Sequence, residues 1–122
     1  MWYKKMQLII SVFMLLWLAT AKAGDVSIHS IVSSPLSFDH QTVTLQGTAI
    51  AVKETTSQRG NDYTTFKLQD GGESVSIFTW GHPPLGNGDR VQVEGVFERE
   101  HHQGRYTFYN EVEATKVSPS PR

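Results

Sequence analysis

Residues 63–80 read Tyr-Thr-Thr-Phe-Lys-Leu-Gln-Asp-Gly-Gly-Glu-Ser-Val-Ser-Ile-Phe-Thr-Trp. Two alternating runs flank Asp70-Gly71-Gly72. Phe66 and Leu68 share one side of the first run, with Thr65, Lys67 and Gln69 on the other. Val75 and Ile77 share one side of the second, with Ser76, Phe78 and Trp80 opposite. A period of two puts alternate side chains on opposite faces of an extended chain, and Asp-Gly is ordinary turn chemistry. The stretch predicts two strands joined by a tight turn, each with one apolar face.

Working outward, the same pattern recurs in Val43–Val52, Arg90–Glu98 and Arg105–Val117, between turn signals such as Gly60-Asn61-Asp62 and Gly86-Asn87-Gly88-Asp89. Val91, Val93 and Phe97 face inward, while Tyr106, Phe108 and Val112 share a parity opposite Arg105, Tyr109, Glu111 and Glu113. In the first strand Val43 and Leu45 lead, and Ile50 and Val52 follow on the other parity. A one-residue bulge at Gly47 would repair that slip and bend the strand. Val26–Val32 reads equally as a helical turn or an edge strand. Five strands with regular turns predict an all-β barrel or sandwich. Its expected interior is Val43, Leu45, Phe66, Leu68, Val75, Ile77, Val91, Val93 and Phe108.

Residues 1–23 are of another kind. Lys4 and Lys5 precede an uncharged stretch from Leu8 to Ala21, and Ala21-Lys22-Ala23 stands before Gly24. This is the pattern of a cleavable signal peptide, with cutting expected after Ala23 and a periplasmic or secreted product. Fourteen residues at the helical rise reach about 21 Å, short of the roughly 30 Å hydrocarbon core. A retained anchor is the alternative; after cleavage no stable membrane association is expected. The domain plan is therefore a signal peptide at 1–23, a barrel at 24–117 and a disordered tail at 118–122.

The 122-residue chain has 11 Lys+Arg against 12 Asp+Glu and no cysteine. Disulfide scaffolds, cysteine nucleophiles and Cys-based metal centres are thereby excluded. Without Lys4, Lys5 and Lys22, 8 basic residues remain against 12 acidic, a net charge of −4. That balance weighs against tight duplex binding, whose affinity comes largely from phosphate contacts.

The runs Val43-Thr44-Leu45-Gln46-Gly47-Thr48-Ala49, Tyr63–Gly71, Val75-Ser76-Ile77 and Gly88-Asp89-Arg90-Val91-Gln92-Val93-Glu94-Gly95 together resemble the OB-fold, a five-stranded Greek-key barrel. The likeness is to the variety related to anticodon-binding domains that also occurs as small exported bacterial proteins. It covers roughly residues 26–117. One departure is that Gly81–Asp89, with two prolines and three glycines, leaves no room for the helix usual between strands three and four. Val26–Val32 is the expected plug instead.

The resemblance implies a ligand on the curved face, with single-stranded nucleic acid or another oligomeric anion as the first expectation. Phe78, Trp80 and Tyr109 would stack rings, and Lys67 and Arg105 would neutralise phosphate. Arg59 in the first long loop, with Arg99, His101, His102 and Arg105 at the last hairpin, would clamp from the sides. A periplasmic protein- or glycan-binding module is the alternative. A remote one is haem handling: His102-Gln103-Gly104-Arg105-Tyr106 matches the His-x-x-x-Tyr spacing of exported haem chaperones of cytochrome c maturation, in a different place along the fold. No nucleophile elbow, phosphate-cradling loop or metal-ligand spacing stands out, so a non-enzyme without cofactor or metal is expected.

Overall fold

The computed structural model describes residues 24–120. The expected signal peptide and the last two residues of the expected tail lie outside the described residues. The elements are β1 (Gly24–Asp25), α1 (Ile28–Ser33), α2 (Pro35–Phe38), β2 (Thr42–Thr56), β3 (Asp62–Asp70), β4 (Glu73–Trp80), β5 (Arg90–Gln103) and β6 (Tyr106–Pro119). In the sheet they run β1-β2-β3-β4-β6-β5, and β5 pairs back onto β2. Pairings β2–β3, β3–β4, β5–β6 and β2–β5 are antiparallel, whereas β4–β6 is parallel. That closure removes the sheet's long edges and encloses one core.

Eight of the nine expected interior residues are buried, joined by Ile28, Ile31, Ala49, Phe97, Val112 and Ala114. The Val26–Val32 ambiguity resolves as helix. Ser27 caps α1, its hydroxyl accepting from the Ser30 N–H at 3.1 Å. Ile28 and Ile31, three residues apart on one face, are fully buried, and α1 packs against β4 and β3. Burying both contributes at most about 3–6 kcal/mol. The plug thus comes from before the first long strand, and Gly81–Asp89 remains a turn-rich link. Among the described residues no helix is long and apolar enough to cross a membrane.

Three expectations need correction. Val43, Leu45, Gly47 and Ala49 keep one parity, and β2 is irregular later, between Ile50 and Lys53, where Ala51 takes φ 54°. Gly47 serves close approach instead. There β2 leaves β5 for β3, and a Cβ at Gly47 would lie 2.7 Å from the Gln69 carbonyl oxygen. The tail is the second correction: Ser118 and Pro119 extend β6 opposite Gln92 and Val91, and the Ser120 N–H donates to the Arg90 carbonyl at 3.1 Å. Third, Phe108 lies outside the core, 42% exposed, because the β5–β6 hairpin continues past the barrel.

Candidate ligand-binding face

Register in the decisive hairpin sets Tyr63 opposite Trp80 and Thr65 opposite Phe78. All four point away from the core, since Thr64, Phe66, Ile77 and Thr79 take the inward positions. The rings of Tyr63 and Phe78 stack at 5.3 Å. Phe78 meets Trp80 edge-on at 5.0 Å, and Tyr63 meets Trp80 edge-on at 6.3 Å. Such offset and T-shaped contacts hold rings in place by about 0.5–1.5 kcal/mol per pair beyond burial.

The β5–β6 hairpin walls the other side. Glu100–Gln103 pair with Tyr106–Tyr109 around the Gly104–Arg105 turn, and the hairpin leans over β4, so that Gln103 near its tip lines the same hollow as Phe78 and Trp80. Asn110 sets the lean. Its φ of 53° is a left-handed conformation that Asn tolerates better than most residues. Phe108 and Glu111, three apart, consequently face one hollow of 230 Å³, which Ser57 of the β2–β3 turn also lines. A neighbouring hollow of 260 Å³ shares Phe78, Trp80, Gln103 and Glu111 and adds His101, His102 and Glu113.

The electrostatics of this face are acidic. Burial pushes the Glu111 carboxyl above its ordinary value of 4.5; His101 opposes this, and Glu98 and Glu113 add to it. His101 Nδ1 lies 2.7 Å from Glu98 Oε2, and its ring stands 6.3 Å from that of Phe108. No lysine or arginine lines either hollow.

Of the residues singled out from sequence, Phe78 and Trp80 are brought together here. Lys67 is exposed, on the outward row of β3 two residues beyond Thr65. Arg59 is exposed in the β2–β3 turn. Arg105 sits at the hairpin tip, its guanidinium 5.6 Å from the Tyr106 ring centre. Arg99 is half-buried: its main-chain N–H donates to Asp39 Oδ1 at 2.8 Å, and its side chain reaches Glu100 at 3.8 Å. Tyr109, 63% exposed, is not among the residues lining either hollow. The haem-like pair, His102 and Tyr106, flanks the exposed tip, with His102 Nδ1 engaged by the Thr107 hydroxyl at 3.1 Å.

Sequence reasoning missed Tyr63, Phe108, Glu111 and Glu113 as wall residues. Counting back from the Asp70-Gly71-Gly72 turn would have placed Tyr63 beside Trp80. The only signal for Phe108 was Asn110, a residue type able to break strand parity.

No protein-family model and no curated protein matches the chain. Solved structures do. Yeast Stn1 and Ten1 superpose with TM-score 0.63 at 13% identity, over 84% of this chain and 65% of that one; this chain thus spans under two thirds of that relative's length. The second single-stranded DNA-binding protein (SSBb) of Mycobacterium smegmatis gives TM-score 0.53 at 24% identity, over 65% of this chain and 84% of that one. The second OB-fold domain of replication protein A from Methanococcus maripaludis gives 0.50 at 15%, over 69% and 88%. With the strand order, the closing β2–β5 pairing and these likenesses together, the described residues form an OB-fold barrel.

Proposed function

We propose that this chain is an exported, non-catalytic binding domain that docks a segment of another envelope protein in the hollow walled by Tyr63, Phe78, Trp80 and Phe108. Export rests on Lys4, Lys5, the Leu8–Ala21 stretch and Ala21-Lys22-Ala23. The non-catalytic reading rests on the lining, which supplies rings and acceptors, with His101 engaged by Glu98.

The observation that carries the choice of ligand is the acid wall. A phosphate about 6 Å from a carboxylate is repelled by about 1–3 kcal/mol, depending on local screening. Glu98, Glu111 and Glu113 all belong to this cluster. Stacking of a base supplies about 1–3 kcal/mol, so each stacked base is offset by roughly one such repulsion. A neutral glycan would leave the half-buried carboxylate uncompensated, whereas a basic polypeptide compensates it.

Single-stranded nucleic acid is the second reading. Three packed rings present stacking surface, Lys67 lies on the same outward row as Tyr63 and Thr65, and one similar structure is a single-stranded DNA-binding protein. Trp80 is the single tryptophan after residue 23, so its emission reports on the hollow once the expected signal peptide is removed. Titration with an alternating Ser/Arg peptide is expected to shift that emission, with affinity falling as salt rises. Oligothymidine binding, with the peptide silent, would establish the second reading instead. Amino-terminal sequencing of the secreted product is expected to begin at Gly24; a product beginning at Met1 would overturn export by cleavage.

A further inference from the structure

We propose that the hollow is a cage for one organic cation, the guanidinium or ammonium of an arginine or lysine side chain on that partner segment. The inference rests on the protein-binding reading and names its anchor.

Aromatic faces carry a negative quadrupole that attracts cations, most strongly where water is displaced. Tyr63, Phe78 and Trp80 form one contiguous aromatic wall, with Phe108 across from them on the hairpin. A volume of 230 Å³, at about 30 Å³ per water, admits roughly eight waters, or one long side chain. Glu111 closes the wall, and neither it nor Glu113 has an ion pair among the described residues. Burial raises the proton affinity of Glu111 by more than His101 lowers it, so its charged form lacks full compensation in the free protein. A cation in the cage supplies it. Gln103 and Ser57 add neutral acceptors for the remaining N–H groups of a guanidinium.

The test uses protein purified from expression of the full chain, with calorimetry and Trp80 emission read together. Its probes are an alternating Ser/Arg peptide, a Ser/citrulline peptide of equal length and oligothymidine. Citrulline keeps the shape of arginine and removes its charge. The Ser/Arg peptide is expected to bind at least about tenfold more tightly than the citrulline peptide. Glu111→Gln is expected to weaken Ser/Arg binding several-fold without lowering the thermal midpoint, and Phe108→Ala to weaken it likewise. Equal binding of the two peptides, or unchanged binding to Glu111→Gln, overturns the cation cage. If oligothymidine binds and neither peptide does, the face remains a ligand site and both the cage and the protein-binding reading fall. If no probe binds, the binding face itself is refuted.

Discussion

The two ends of this barrel are built on different terms. At the closed end, Ile28 and Ile31 of α1 are buried against β3 and β4, and the chain meets itself through main-chain contacts. At the open end, Trp80, Phe108, Tyr106 and Tyr109 stand 42–63% exposed, and carboxylates share the surface with rings. Apolar area withdrawn from water stabilises the first end, whereas large apolar side chains left in water at the second contribute little to folding. The contrast teaches where substitution should cost stability and where it should cost binding.

The largest effect is expected at the closed end, from Phe97→Ala. Phe97 is completely buried, and the truncation is expected to cost about 3–5 kcal/mol in denaturant unfolding; a loss under 1 kcal/mol would mean that the interior is not the main source of stability. Gly47→Ala comes next. Its Cβ would press on the Gln69 carbonyl where β2 changes neighbours, for an expected loss of about 1–3 kcal/mol, again measured by denaturant unfolding. Asn110→Ala tests the hinge between the two ends. Placing alanine at φ 53° is expected to cost about 1 kcal/mol and to change Trp80 emission, because Phe108 and Gln103 shift with the hairpin.

Glu111→Gln, at the open end, carries the smallest effect on stability. The folded-state proton affinity of Glu111 is raised by burial. Between its ordinary and its raised value the folded chain holds a proton that the unfolded chain has lost, so stability falls as pH rises through that window and stays lower above it. The substitution is expected to remove this fall and to raise neutral-pH stability by less than about 1 kcal/mol, given solvent screening. Melting curves across pH check it. Glu98, Glu113 and His101 belong to the same cluster and are present in both proteins, so the difference between variants is the readout. A variant less stable at neutral pH would mean that the carboxylate is held by attraction instead.

Phe66, Leu68, Val75 and Ile77 were legible as core because alternation in a half-buried strand leaves little choice of face. The same rule failed at Phe108. Alternation assumes unbroken extended backbone, and Asn110 interrupts it. Gly47 was legible as special but for another reason: composition marks a glycine without saying whether it bends a strand or lets two backbones meet. The site divided along the same line. Phe78, Trp80 and the outward position of Lys67 followed from parity, whereas parity and loop membership do not say which cations reach the hollow, and Lys67, Arg59, Arg99 and Arg105 do not line it.

By itself, then, the order of residues settled a β-rich barrel, its apolar faces and the aromatic pair on β4, since these depend on local periodicity and turn chemistry. Only the tertiary structure decided that the expected plug is helical, that the last hairpin leans over β4, and that carboxylates rather than lysines or arginines line the hollows beside the rings. Those outcomes depend on which distant strands become neighbours and on a single left-handed residue, and neither is encoded in any short window of sequence.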